Sequence, residues 1–133
     1  MFEQLPDALR EAAEAVIRAE QRISCADAGT YNRFVADGPG STAVSASGRT
    51  MIGAEAVRAA TEMVAKGNLY ERNRFLTPIS ADSTDGMFYV VFKTGVTIVG
   101  EREQDFCWVV TLIFRKKEDK WLLVHRQNTR SNP

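Results

Sequence analysis

The feature that most constrains the fold of this chain is its C-terminal segment, residues 104–133. Two long apolar runs, rich in β-branched and aromatic residues, flank the polar tetrad Lys-Glu-Asp-Lys at residues 117–120. Apolar runs of that composition on both sides of a short polar turn are typical of a β-hairpin. We therefore predict two long antiparallel strands here, over residues 104–117 and 120–128.

Length, charge and hydropathy exclude several classes of protein. The 133 residues suffice for one core, and we predict a single domain over residues 1–133. Because 17 basic residues balance 17 acidic ones, no net field recruits nucleic acid. No apolar run approaches the roughly 20 residues of a membrane span, and the N-terminus lacks the pattern of a secretion signal. These features predict a cytoplasmic protein with neither a nucleic-acid nor a membrane partner.

The first half of the chain carries helical patterns. Apolar residues recurring at steps of three and four predict a first helix that lies across a sheet. A second, shorter helix should turn Tyr31, Phe34 and Val35 inward, and Gly53 opens a third helix of good helix formers. The predicted helices span residues 6–24, 25–36 and 54–66.

The remaining segments show strand patterns separated by turn signals. The predicted strands span residues 42–47, 49–52, 69–79, 87–99, 104–117 and 120–128. The predicted turns between the long strands lie at residues 81–86, 100–103 and 117–120. Consecutive strands with such short links are antiparallel neighbours. We therefore predict an α+β fold, with a long curved antiparallel sheet and the helices on one face.

Two segments carry a family resemblance. They are residues 49–57, Arg-Thr-Met-Ile-Gly-Ala-Glu-Ala-Val, and the closing strand 120–126, Lys-Trp-Leu-Leu-Val-His-Arg. With this order of elements, the chain resembles the nuclear transport factor 2-like superfamily. It is most similar to the SnoaL-like branch and to the association domain of calcium/calmodulin-dependent protein kinase II. The resemblance covers nearly the whole chain.

The resemblance implies more about fold than about activity. It implies a cone-shaped, cystatin-like architecture, in which three helices pack on the concave face of the sheet and enclose a pocket that often binds a small molecule. The superfamily includes enzymes, binding modules and assembly hubs, so the activity has to be inferred from the residues of the pocket.

Alternation along the last three strands sorts their residues by face, although a bulge would invert the assignment beyond it. The larger and more apolar set, which we assign to the interior, is Phe88, Val90, Phe92, Thr94, Phe106, Trp108, Val110, Leu112, Phe114, Leu122, Val124, Arg126 and Asn128. The outer set is Met87, Tyr89, Val91, Lys93, Asp105, Cys107, Val109, Thr111, Ile113, Arg115, Trp121, Leu123, His125 and Gln127. The outer set is also too apolar to be fully exposed, which is typical of an interface. Since the family commonly dimerises through this face, we predict a homodimer.

The predicted ligand pocket has apolar walls and one polar end. Its predicted residues are Phe88, Phe92, Trp108 and Leu112 in the walls, and Tyr31, Arg126 and Asn128 at the polar end. Burying a guanidinium without a partner is costly, so Arg126 either meets a carboxylate or faces an anionic or carbonyl-bearing ligand. Tyr31 either brings its phenol to the pocket or reaches only the rim. Trp108 is either core or pocket wall, or a specific stacking platform for a ligand.

Residues for proton transfer are scarce on the predicted inner face. Ketosteroid isomerases and SnoaL-like cyclases, which the chain resembles, use inward carboxylates or a histidine, and the inner set has neither. Asp105 and the only histidine, His125, fall on the outer face, and Asp37 precedes a glycine-rich turn that suits a capping role. We therefore assign no catalytic residue. An acid-base mechanism requires a carboxylate or histidine inside the pocket, and these three side chains are the candidates.

Other site types lack the residues they need. Kinase association domains line their pocket with arginines, and the matching positions here hold Phe92, Leu112 and Asn128, so the basic pocket is not retained. One histidine and scattered carboxylates offer no metal-ligand spacing, and no phosphate-binding loop is present, so we predict no metal and no cofactor. Cys25 and Cys107 are predicted to be separate reduced thiols.

Three functions follow from these patterns. The favoured one is a homodimer that binds a small apolar or carbonyl-bearing molecule. The alternatives are an isomerase, cyclase or dehydratase acting on an enolisable carbonyl compound, and an oligomerisation module whose outer sheet face is its function.

Overall fold

A computed structural model describes residues 1–23, 27–67 and 70–132, with the backbone alone at position 70. The predicted thiol Cys25 lies outside the described residues. The helices are α1 (Asp7–Gln21), α2 (Ala28–Asn32) and α3 (Ala54–Lys66). The strands are β1 (Thr42–Val44), β2 (Thr50–Ile52), β3 (Tyr70–Thr84), β4 (Met87–Val99), β5 (Glu103–Lys117) and β6 (Lys120–Ser131).

The described strands form one curved, open sheet in the order β2-β1-β6-β5-β4-β3. The four long strands pair as antiparallel neighbours, so the predicted α+β architecture is confirmed. One contact was not predicted: β1 lies parallel to β6, with Ala43 beside Arg126. This pairing joins the first half of the chain to its last strand.

Helix α1 packs its apolar stripe into the core. Ala13, Val16, Ile17 and Ala19 are buried, and the helix ends at Gln21, before the predicted limit. Helix α3 has the predicted bounds. It begins after Gly53, whose φ of 93° lies in the region that favours glycine. None of the described helices is long and apolar enough to cross a membrane.

The predicted second helix is wrong beyond Asn32. Asp27 caps α2 by accepting a hydrogen bond from the Thr30 backbone N–H at 3.3 Å. The chain then extends beside β6, where the Leu123 N–H donates to the Phe34 carbonyl at 2.7 Å and the Ala36 N–H donates to the Leu123 carbonyl at 2.9 Å. Sheet hydrogen bonds replace the helical ones, and a local pattern does not reveal them.

Strands β1 and β2 are shorter than predicted, and β3 is longer. The hairpin between β3 and β4 turns at Asp85 and Gly86 alone, so the predicted turn over residues 81–86 is wrong. An Asp-Gly pair is the strongest short hairpin signal, and it leaves residues 81–84 free to pair. β3 is an edge strand, which is why it tolerates Pro78 and irregular register at positions 74 and 79.

A bulge in β6 corrects the predicted face assignment. Ile113 pairs with His125 but Phe114 pairs with Leu123, so Val124 is the extra residue. Leu123 is buried in the core with Trp121 packed against it, although both were assigned to the outer face, and the inward assignment of Leu122 is wrong. Val124, the extra residue, is buried. Arg126 and Asn128 lie on the other side of the bulge and keep their inward position opposite Leu112 and Val110.

The core lies between α1 and the centre of the sheet. The Phe88 and Phe114 rings stack at 4.4 Å, and the Trp121 ring meets Phe88 edge-on at 5.1 Å. Leu112 and Val90 are fully buried beside them. Aromatic pairs of this kind add stabilisation beyond the area they bury.

Because of the bulge, truncating the two adjacent leucines of β6 should lower stability by different amounts. Leu123→Ala should lower the free energy of unfolding by about 2–5 kcal/mol, because it leaves a core cavity. Leu122→Ala should cost less than about 1.5 kcal/mol, because that side chain lies outside the core cluster. Urea unfolding followed by circular dichroism measures both variants. A larger loss of unfolding free energy for Leu122→Ala than for Leu123→Ala would contradict the bulge.

Candidate functional site

A cavity of about 240 Å³ lies between the helices and the inner sheet face. Its apolar lining residues are Ile17, Ile23, Ala43, Val44, Met51, Val57, Ala60, Val64, Leu76, Phe92, Val96, Trp108 and Val110. Its polar lining residues are Glu20, Gln21, Tyr31, Ser45, Thr61, Glu71, Asn73, Thr94, Arg126 and Asn128. Since an apolar cavity of roughly 150 Å³ can hold benzene, this one has room for a substituted ring.

Most of the predicted ligand-binding residues line this cavity. They are Tyr31, Phe92, Trp108, Arg126 and Asn128. Leu112 differs from the prediction because it is fully buried and does not line the cavity, and Phe88 likewise belongs to the core. The five residues that line the cavity lie where the pocket was predicted, and a ligand-binding role for each remains a prediction.

Arg126 forms an ion pair with Glu20. The guanidinium Nη2 of Arg126 donates to Glu20 Oε1, which joins β6 to α1. Both side chains are mostly covered, with 20% of Arg126 and 17% of Glu20 exposed. Burial lowers the pKa of Arg126 to about 10, so the guanidinium stays charged at neutral pH. Of the two roles predicted for Arg126, the structure therefore shows the carboxylate partner, at the edge of the cavity.

Several polar atoms at this end of the cavity lack a hydrogen-bond partner within the described protein. They are Arg126 Nε, Trp108 Nε1 and Asn128 Oδ1, all covered by neighbouring atoms. A buried polar group without a partner costs about 1–3 kcal/mol. Their side chains line the cavity, although these atoms themselves are covered. A ligand that pairs with them would offset a cost already present in the protein.

Tyr31 contributes a neutral phenol. It projects from α2 and is 3% exposed. Burial raises the pKa of its hydroxyl well above the usual range, because the phenolate would lose its hydration. The side chain therefore stays protonated and can act as a hydrogen-bond donor in the cavity.

Two carboxylates line the cavity that the strand pattern did not identify. Glu20 lies four residues after Val16 and three before Ile23, on the apolar stripe of the helix, and that spacing is the signal for it. Glu71 lies on β3 opposite Ile98. Burial raises the pKa of the Glu71 carboxyl above its usual value of 4.5. Its inward position depends on the pairing of β3 with β4.

The three side chains considered for proton transfer lie outside the cavity lining. Asp37 accepts a hydrogen bond from Arg58 at 2.7 Å, and this bond lowers the Asp37 pKa. Asp105 accepts from the Thr97 hydroxyl at 2.7 Å. His125 Nδ1 lies 2.7 Å from the hydroxyl of Thr42, its neighbour in β1. The acid-base mechanism through these residues is therefore not supported.

The described residues show no other site of a recognised type. Within them, no group of three or more His, Cys, Asp and Glu side chains is placed to hold a metal ion. Cys107 is buried and its thiol is free. The polar side chains that line the cavity are hydrogen-bonding groups, two carboxylates and Arg126.

Comparison with known proteins identifies the fold. No family model and no curated protein matches the chain. Among solved structures, a candidate dehydratase from the nuclear transport factor 2-like family of Streptomyces avermitilis has a TM-score of 0.81 at 17% identity, covering 96% of this chain and 100% of that one. The chain has the nuclear transport factor 2-like fold.

Other proteins with the same fold carry different names. A ketosteroid isomerase-like protein from Erwinia carotovora atroseptica has a TM-score of 0.72 at 14% identity, covering 100% of both chains. A candidate calcium/calmodulin-dependent protein kinase type II association domain from Thiobacillus denitrificans has a TM-score of 0.76 at 11% identity, covering 92% of this chain and 94% of that one. At such identities, the nuclear transport factor 2-like fold is shared and the activity is not implied.

Proposed function

We propose that this nuclear transport factor 2-like protein binds a small, mainly apolar molecule, whose single polar group lies towards Arg126 and Asn128. The observation that carries this proposal is the mainly apolar cavity whose lining includes Arg126, Trp108 and Asn128, each with an unpartnered polar atom. Ligand sites commonly combine apolar walls with a few convergent polar groups. Phe92 and Trp108 supply aromatic wall, and Tyr31 supplies a further donor.

Filling the cavity with a larger side chain should weaken ligand binding. We choose acetophenone as the probe, because it has a ring and one carbonyl. Ala60 lines the cavity, while its neighbour Ala59 is exposed on the same helix. Ala60→Phe should weaken acetophenone binding by more than about tenfold, which is more than 1.4 kcal/mol. Ala59→Phe should leave binding unchanged.

Saturation-transfer NMR and a titration of the Trp108 indole resonance measure these affinities. Trp108→Phe identifies that resonance, because the chain has two tryptophans. Equal binding by Ala60→Phe and the wild type would place the ligand elsewhere, and absence of binding by the wild type would remove support for this proposal.

Acid-base catalysis in the same cavity is the second candidate, and Glu71 favours it. Burial raises the pKa of the Glu71 carboxyl, which makes the ionised carboxylate a stronger base than an exposed one. Two proteins of the same fold are named as a candidate dehydratase and as ketosteroid isomerase-like. Glu71 on β3 pairs with Ile98 of β4. Arg126 on β6 pairs with Leu112 of β5, which pairs with Val90 of β4. The backbones of Glu71 and Arg126 therefore lie at well separated levels along β4. A carbonyl held by Arg126 is thus remote from the base, and we place binding first.

A proton-exchange assay tests the catalytic candidate without knowledge of the substrate. The protein should accelerate exchange of the acetophenone methyl protons in D₂O, measured by proton NMR. The rate should rise with pH through the raised pKa of Glu71, because the base acts in its ionised form. Glu71→Gln should slow the exchange by about 10²–10⁴-fold. Exchange that is unaffected by Glu71→Gln would exclude this role.

Self-association through the outer sheet face is a separate proposal. Val91, Val109, Thr111 and Ile113 form a half-buried apolar strip on that face. Tyr89 beside them is exposed. Exposed apolar area of this kind favours a protein partner, and a protein of the same fold is named as an association domain. We propose that the partner is a second copy of this chain.

A charge on the outer strip should dissociate the homodimer. Val109→Lys places an ammonium group in the middle of the strip, and desolvating it at an interface is costly. Sedimentation equilibrium at micromolar concentration should show a dimer for the wild type and a monomer for Val109→Lys. Ala59→Lys, on the exposed face of α3, should remain dimeric. A monomeric wild type would contradict the proposal.

A further inference from the structure

The charges that line the cavity almost cancel. The ionisable side chains among its described lining residues are Glu20, Tyr31, Glu71 and Arg126. Tyr31 is neutral, and Glu20 and Arg126 neutralise each other in direct contact. Glu71 adds either no charge or one negative charge, according to its protonation. The cavity therefore carries no net positive charge, although an arginine lines it.

We infer that Glu20 determines the ligand class of this site, because by neutralising Arg126 it selects neutral carbonyl compounds, carboxamides above all, and excludes carboxylates. This inference rests on the proposed binding function. It assigns to Glu20 a role in specificity beyond holding α1 against the sheet.

Electrostatics at a buried pair gives the reason for this exclusion. A carboxylate ligand beside Arg126 would also lie near Glu20, and two like charges in a poorly hydrated site repel strongly. It would in addition lose its own hydration with no free cation to replace it. A neutral carbonyl can accept a hydrogen bond from the guanidinium without either cost.

The unpartnered atoms narrow the neutral class further. Arg126 Nε and Trp108 Nε1 are donors, and Asn128 Oδ1 is an acceptor. A ketone can accept from the donors but has no hydrogen to give to Asn128. A carboxamide has both an acceptor and a donor, so it matches both the unpartnered donors and the unpartnered acceptor. We therefore expect affinity to follow the order carboxamide, ketone, carboxylate.

A matched pair of probes separates charge from shape. Benzamide and benzoate have nearly the same size, and benzoate is ionised at pH 7. The wild type should bind benzamide at least about tenfold more tightly than benzoate. Glu20→Gln leaves Arg126 without its carboxylate, so the ratio of the two dissociation constants should move at least about tenfold towards benzoate. The Trp108 indole resonance reports both titrations.

Two further variants control for unrelated effects. Glu11→Gln removes an exposed carboxylate from the same helix and should keep the wild-type ratio. The double variant Glu20→Gln/Arg126→Gln removes both charges and should still prefer benzamide, because a site without net charge disfavours a carboxylate. Equal binding of benzoate by this variant would overturn the inference even if Glu20→Gln alone fails to fold.

The outcomes distinguish this inference from the proposed function. A wild type that binds benzoate as well as benzamide would overturn it, as would a folded Glu20→Gln variant with an unchanged ratio. Ethylbenzene is a third probe, without a polar group. If it binds while benzamide and benzoate bind equally, the cavity binds ligands but Glu20 does not select among them. If none of the three probes shifts the Trp108 resonance, both the inference and the binding function are overturned.

Discussion

The extra residue at Val124 determines which side chains of β6 face the cavity. Successive residues of a strand point to opposite faces, so a shift of one position exchanges the two faces. The bulge lets Leu123 pack with the aromatic core at one end of β6 while Arg126 points inward near the other end. In a regular strand these two positions would have opposite parity, and one of them would leave the inner face. The core and the polar end of the cavity therefore both depend on this irregularity.

The ion pair between Glu20 and Arg126 connects helix α1 to strand β6 at the polar end of the cavity. Removing two charges from water is expensive, so a covered pair of this kind is weak evidence for stability. Its more evident consequence is positional, since it fixes a guanidinium at the cavity edge and cancels its charge. The pair turns a residue type that usually recognises anions into a hydrogen-bonding group in a neutral setting.

Local sequence patterns predict most of this fold. The bounds of α3, the stripe of α1 and the antiparallel order of the long strands follow from periodicity and turn residues. The bridge at Val35, the bulge at Val124 and the parallel β1–β6 contact do not, because each depends on hydrogen bonds between distant segments. The same limit applies to the site. Arg126 is identified by its inward strand position, whereas Glu71 requires the register of β3. The division into a single domain and the cytoplasmic location remain predictions.

Two independent observations agree on the character of the cavity. Phe92, Leu112 and Asn128, the positions at which the resemblance to kinase association domains implies arginines, lie in the wall, in the core and at the polar end. The arginine that does line the cavity, Arg126, contacts a carboxylate. If this fold were used here to hold an anion, at least one uncompensated cation would be required, because an apolar wall cannot replace the hydration of a charge. The uncharged residues at these positions and the pairing of Arg126 with Glu20 both support the proposal of a neutral ligand.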